Sequence, residues 1–227
     1  MKQDLAGWTI VIDLDGTLVE TAPDLHAALN HVLEAEGLTP VPLDTIRMMI
    51  GDGAKALIRK GLSHNNAPID EADIDTRLWP AFLKYYEANI SQHSVPYDGA
   101  VETLDDLRQR GATLAICTNK AQHLAEQVLN ELAPATCFAA ILGGDRTITK
   151  KPSGAHILET VALSHGDASR TIMIGDSQTD ERAASDAQLP FIMVSFGYGR
   201  LTGAPLSHLE EVDRWTNVEE AINRIVH

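Results

Sequence analysis

Two aspartates, Asp13 and Asp15, stand two residues apart directly after the apolar run Thr9–Ile12. In an extended chain, residues at that spacing share a face. Two carboxylates held there repel one another unless a cation or a shared proton intervenes. A second acidic pair, Asp176 and Asp180, follows the apolar run Thr171–Ile174 and spans a helix start. By itself that pair also suits an N-cap and a first helical turn, where acids meet exposed N–H donors. Brought to one sheet edge, the two pairs make a hard oxygen site of the kind Mg²⁺ takes while keeping several of its waters. Thr118-Asn119-Lys120 and Lys150-Lys151-Pro152 mark two further strand ends. A hydroxyl, an amide and an ammonium are the donors that the equatorial oxygens of a transferring phosphoryl group require.

The elements that must position these groups follow from apolar patterning. Five short runs, Trp8–Ile12, Ala112–Cys117, Phe138–Leu142, Thr171–Ile174 and Phe191–Ser195, read as buried parallel strands. Each of the last four follows a helical stretch, Ala100–Arg110, Ala121–Leu132, Ser153–Leu163 and Gln178–Ala187 in turn, and Asn217–Val226 closes the chain. This alternation predicts an α/β fold with a doubly wound parallel sheet, which binds ligands beyond the carboxyl ends of its strands.

The long stretch between the first and second strands breaks the rhythm, with helical pattern and no convincing strand. Thr21-Ala22-Pro23 starts a helix whose apolar face is Leu25, Ala28, Leu29, Val32 and Leu33, and Gly37 stops it. Further helices are expected over Asp44–Ile50, Ala54–Leu62 and Asp70–Ile90. Residues 19–92 are therefore read as an inserted all-helical cap, and residues 1–18 with 93–227 as the α/β core.

Composition removes several function classes. The 227 residues carry 18 Lys and Arg against 32 Asp and Glu, a formal charge of −14. That leaves no basic face for nucleic acid or for an anionic membrane. Cys117 and Cys137 are too few for a disulfide framework and lie in no metal-ligand spacing, so a reducing cytoplasm is expected. Cys117, at a buried strand end, reads as a structural thiol. The first apolar run ends at Asp13, far short of a signal segment or a membrane span. The expected partner is a small phosphorylated metabolite, and the oligomeric state is left open.

In chain order, DLDGTL at Asp13–Leu18, ICTNK ending at Lys120, KKP at Lys150–Pro152 and MIGDSQTD at Met173–Asp180 resemble the four motifs of the haloacid dehalogenase superfamily of phosphohydrolases. The resemblance covers nearly the whole chain. It implies that the insert is a four-helix type of cap and that Asp13 is a nucleophile forming an aspartyl phosphate. It implies that Asp15 is the acid for the leaving alcohol and then the base for water. Mg²⁺ would be held by the Asp13 carboxylate, the Asp15 main-chain carbonyl and Asp176, with Asp180 helping from behind. Thr118 and Asn119 would bind phosphoryl oxygens, and Lys151, the lysine before the proline, would offset the charge.

Asp15 argues against the phosphonate hydrolases and P-type ATPases of the superfamily, which carry other residues there. VETAPDL at Val19–Leu25, IGDGAKAL at Ile50–Leu57, ILGGD at Ile141–Asp145 and FGYG at Phe196–Gly199 resemble the phosphoglycolate phosphatase branch. The expected reaction is thus Mg²⁺-dependent hydrolysis of a small phosphomonoester, with 2-phosphoglycolate first among substrates. Gly51-Asp52-Gly53 reads as a lid loop, and Gly51, Gly53 and Lys55 are expected at the substrate, with Arg47 and Arg59 as further charges. The same glycines could simply separate two cap helices. Gly154, in KPSG, and Gln188, where glycine is frequent, depart from the family pattern. Three rivals share these motifs: a phosphomutase of the same fold, a phosphatase of sugar phosphates or pyrophosphate, and a silent protein that only binds a phosphorylated ligand.

Overall fold

The first strand, β1 (Thr9–Ile12), is buried along its whole length because every one of its residues faces a packed layer. The computed structural model describes residues 4–133, 135–202 and 209–227. After β1 come the two-residue strands β2 (Val19–Glu20) and β3 (Val95–Pro96), and then β4 (Thr113–Thr118), β5 (Ala140–Gly143), β6 (Thr171–Gly175), β7 (Phe191–Val194) and β8 (Leu209–Val212). Six strands form one sheet in the order β5-β4-β1-β6-β7-β8, and every neighbouring pair runs parallel. The chain winds both ways from β1, so the switch point of the sheet lies at the carboxyl end of β1.

Alternate residues of the strands feed two apolar layers. Val11, Cys117, Met173, Phe191 and Met193 pack on one face, while Ile10, Ile12, Ile116, Ile174 and Ile192 pack on the other. Helices cover both faces, as the doubly wound expectation requires. Five strands and the helices between them stand where the apolar pattern placed them, within one or two residues at most ends. β8 is an addition. Its sequence, Leu-Glu-Glu-Val, lacks an apolar run because it is an edge strand with only Val212 fully buried.

Between β2 and β3 the chain is helical: α1 (Ala22–Ala35), α2 (Leu43–Arg47), α3 (Ala54–His64), α4 (Glu71–Asp73), a π turn over Ile74–Leu78, and α5 (Trp79–Ala88). α2 ends at Arg47, short of the expected Ile50. The expected single helix over Asp70–Ile90 is broken into three pieces. Pro80 supplies the reason, since it lacks an N–H and crowds the carbonyl one turn back, and a widened turn accommodates that defect. β2 and β3 pair antiparallel and carry the chain into and out of the insert; each is too short to leave a periodic signal. The chain then continues through α6 (Ala100–Gln109), α7 (Gln122–Leu132), α8 (Gly154–Leu163), α9 (Gln178–Asp186) and α10 (Val218–Ile225).

Two of the unusual sequence positions have local explanations. Gly154 begins α8 where a Cβ would stand 2.4 Å from the Ala187 amide, so a bare backbone lets α8 approach α9 closely. Gln188 follows α9 with a φ of 58°, the left-handed position at which a helix commonly ends on glycine.

Candidate active site

Asp13 and Asp15 leave β1 at the switch point. The turn after them is sharp: Gly16 has a φ of 84°, and a Cβ there would meet Asp176 Oδ2 at 2.5 Å and the Tyr198 ring at 2.7 Å. The loop is pinned from behind by buried Trp215, whose indole Nε1 donates to the Thr17 carbonyl at 2.9 Å. Asp176 follows β6, and its Oδ2 accepts from the Tyr198 and Gly199 amides at 2.6 and 3.2 Å. Asp180 closes a capping box with Ser177 at the start of α9. Asp180 thus serves the helix start through Oδ2, and its Oδ1 faces Lys151.

Asp13, Asp176 and Asp180 are all buried and offer oxygens within 4.8 Å of one another. Burial pushes Asp13 up to about 7, opposed by the Lys151 ammonium and assisted by the Asp180 charge. Burial likewise pushes Asp176 up to about 8, with Asp180 and Asp13 adding repulsion. Lys151 Nζ lies 2.6 Å from Asp180 Oδ1 and 2.9 Å from Asp13 Oδ1. The second contact is out of line for a hydrogen bond, so Asp13 Oδ1 has none. Burial disfavours the Lys151 charge, but the Asp13 and Asp180 carboxylates outweigh it and hold the ammonium protonated. Three crowded hard oxygens, one with no hydrogen bond, fit a divalent cation such as Mg²⁺.

Buried His156 sits behind Lys151. Its Nδ1 accepts the Lys151 amide at 3.2 Å and its Nε2 faces the Leu142 carbonyl at 3.2 Å, which assigns the proton to Nε2. Burial, with the Lys151 charge, pushes the imidazole down to about 4. The Cys117 thiol is pushed up to about 12 by burial, consistent with a packing role.

Asp15 turns its carboxylate away from this cluster, toward the insert. Thr21 Oγ1 donates to its Oδ1 at 2.6 Å, and Lys120 Nζ lies 2.9 and 3.3 Å from its two oxygens. Lys120 also donates to the Tyr86 hydroxyl of α5 at 2.8 Å. A cavity of about 390 Å³ opens between the strand ends and the insert, with Asp13, Asp15 and Thr118 on one side and Leu57, Trp79 and Phe82 on the other.

The remaining expected residues divide. Gly51, Gly53 and Lys55 line the cavity, but Lys55 is paired with Asp75 at 2.6 Å. Arg59, also on the wall, is paired with Glu71, and Arg47 pairs with Asp44 and Glu20 away from the cavity. The Asn119 carboxamide is not free to serve a phosphoryl group, because its Nδ2 donates to the Gly51 and Lys151 carbonyls at 3.1 and 3.0 Å. It docks the lid loop instead, as does Lys150, whose Nζ reaches the Asp52 carbonyl at 2.8 Å. Thr118 Oγ1 accepts from the Lys120 amide and keeps its own proton for the cavity.

Sequence reasoning did not find the pairing of Lys120 with Tyr86 or the part played by Tyr198. The Tyr198 hydroxyl accepts from the Thr21 and Ala22 amides at 2.7 and 2.9 Å and donates to Glu20 at 2.9 Å, tying the Asp176 loop to the entry of α1. Asp24 ties the exit, accepting from the His93 and Ser94 amides. FGYG and VETAPDL carried both residues, without indicating these contacts.

Residues 10–194 match the family model of the haloacid dehalogenase-like hydrolases. The chain belongs to this family. It is 46% identical over 195 residues to a phosphoglycolate phosphatase of Caulobacter vibrioides, covering 86% of this chain and 82% of that one. It is 44% identical over 200 residues to the phosphoglycolate phosphatase of Agrobacterium fabrum, covering 88% and 84%. The crystal structure of a predicted phosphoglycolate phosphatase from Haemophilus somnus superposes with a TM-score of 0.84 at 25% identity, over 95% of this chain and 97% of that one. This haloacid dehalogenase-like hydrolase is of the phosphatase kind, similar to phosphoglycolate phosphatases. No helix among its described residues is long and apolar enough to cross a membrane.

Proposed function

We propose that the chain is a Mg²⁺-dependent phosphomonoesterase whose substrate is 2-phosphoglycolate, with residues 1–18 and 93–227 as catalytic core and 19–92 as its helical cap. The observation that carries this reading is the placement of two carboxylates at one strand end in unlike surroundings. Asp13 is beside Lys151 and inside the cluster with Asp176 and Asp180, while Asp15 lies outside that cluster, held by Thr21 and Lys120. Environments that differ in this way separate a nucleophile from an acid and base.

Asp13 attacks phosphorus, forming an acyl phosphate as the bond to the glycolate oxygen breaks, and Asp15 gives that oxygen its proton. Water then attacks phosphorus, Asp15 takes the water's proton, and the Asp13 carboxylate is released with inorganic phosphate. Lys151 keeps Asp13 ionised for the attack. The Thr118 hydroxyl donates to an equatorial oxygen, and Asn119 contributes by holding the lid loop and the Lys151 main chain. Bound Mg²⁺, held by Asp13, Asp176 and the Asp15 carbonyl with Asp180 behind, would offset phosphoryl charge.

The test is phosphate release from a panel of esters including 2-phosphoglycolate, with and without Mg²⁺, for wild type and Asp13→Asn. Metal-dependent release abolished by the substitution, with 2-phosphoglycolate giving the highest kcat/KM, is the expected result. Release with another best ester would remove the substrate assignment, and isomerisation of a sugar phosphate without release would replace hydrolase by mutase.

A further inference from the structure

The phosphoryl end of the cavity is accounted for, but a substrate carboxylate also needs a partner. Four cations line the cavity: Lys55, Arg59, Lys120 and Lys150. Lys55 and Arg59 are committed to Asp75 and Glu71, and both are partly exposed. Lys150 is exposed and holds the lid loop.

The dimensions of the substrate choose among them. In 2-phosphoglycolate the carboxyl carbon is two bonds from the bridging oxygen, so its oxygens lie within about 3 to 4 Å of that oxygen at ordinary bond lengths. The bridging oxygen must itself reach Asp15 to be protonated. The cation that reads the carboxylate therefore stands beside Asp15. Lys120 Nζ is that cation, 2.9 Å from Asp15 Oδ1 with its side chain only 4% exposed.

Its surroundings supply a second donor. The ammonium has three N–H groups, of which Asp15 and the Tyr86 hydroxyl take two. Tyr86 accepts in that contact, and among the described residues no acceptor takes its own proton. Tyr86 also lines the cavity, and burial pushes its hydroxyl up to about 12, so the proton stays in place. Leu25, Phe82 and Leu124 also line the cavity, and apolar surroundings of this kind strengthen a charge-assisted bond made there.

We propose that Lys120 and Tyr86 together form the subsite that binds the substrate carboxylate, one N–H and one O–H converging on it from the core and from the insert. The pair makes the preference for an anionic tail depend on the insert being docked, because Tyr86 belongs to α5 of the insert and Lys120 follows β4 of the core. The proposal rests on the reading of 2-phosphoglycolate as substrate.

The experiment compares kcat/KM for 2-phosphoglycolate with that for its amide, which keeps the size of the tail and loses its charge. Any damage that a substitution does to Asp15 or to folding affects both esters and cancels in their ratio. Wild type is expected to favour the acid. Lys120→Met is expected to lower the ratio by roughly tenfold to a hundredfold, the worth of a charge-assisted hydrogen bond. Tyr86→Phe is expected to lower it by roughly tenfold on the same basis. Lys120→Arg should keep most of the ratio and Lys150→Met should keep all of it. If Lys120→Met does not fold, Lys120→Gln, which retains a donor for Asp15 and Tyr86, carries the same expectation. A wild type that does not favour the acid overturns the substrate reading and this proposal with it. A wild-type preference that survives in Lys120→Met, or in Lys120→Gln where that variant stands in for it, or that collapses in Lys150→Met, overturns the subsite alone.

Discussion

Lys151 and Asp180 form an ion pair of 2.6 Å whose side chains are 2% and 1% exposed. The same ammonium faces Asp13, so one cation sits between two of the three clustered carboxylates. Removing one partner of a buried pair leaves a charge without compensation, at a cost on the order of 3 to 5 kcal/mol.

Lys151→Met is therefore expected to lower stability by about that amount and phosphate release by about a thousandfold. Asp180→Asn should be milder in activity, because Lys151 still faces Asp13 and one repelling charge is gone. Urea unfolding and steady-state kcat on the two variants check this. A methionine variant keeping more than about a tenth of the wild-type rate would contradict the part given to Lys151.

The acidic cluster predicts how metal and pH combine. Asp13 and Asp176 have folded pKa values raised above their unfolded ones, so their contribution is full at low pH and is lost as pH rises through about 7 to 8. A divalent cation held by the ionised cluster would reverse that loss. The rise in melting temperature on adding Mg²⁺ should thus be larger near about pH 8.5 than near about pH 5.5. Equal rises at both values would show that the cation binds elsewhere.

His156 has the opposite sign. Its folded pKa of about 4 lies below the ordinary imidazole value, so its contribution is present at neutral pH and is lost as pH falls from about 6.5 toward 4. The lost stability is on the order of 3 kcal/mol for a shift of this size. Unfolding free energies at a series of pH values should fall over that window in wild type. The fall should be shallower in His156→Asn, which cannot take up the proton.

Gln188 occupies a left-handed position with a φ of 58° just beyond the end of α9. A side chain there costs about 1 kcal/mol relative to glycine, less the extra freedom that glycine has when unfolded. Gln188→Gly is expected to raise the melting temperature by about 2 °C with unchanged kcat. A decrease would mean that the Gln188 side chain makes a compensating contact.

Much of this molecule was legible in its amino-acid order. Parallel strands buried on both faces must be continuous apolar runs, so β1, β4, β5, β6 and β7 could be read directly, and with them which end of each strand bears Asp13, Thr118 and Asp176. Lys151 could be separated from Lys150 by its neighbouring proline, and the two have different partners, Asp13 and Asp180 for Lys151 and the Asp52 carbonyl for Lys150. What local order could not convey was anything set by packing between elements. β8 is half-exposed at the sheet edge and carries two glutamates, so it leaves no apolar run. Asn119 was read as a phosphoryl donor because its type allows it, yet the docking of the lid loop takes its amide. Lys120 meets Tyr86 from 34 positions away only because α5 packs over the strand ends. A helical pattern tells which face is buried and not what that face meets. The chemistry at each strand end was determined by sequence, whereas the contacts across the cavity were decided by how the insert lies on the sheet.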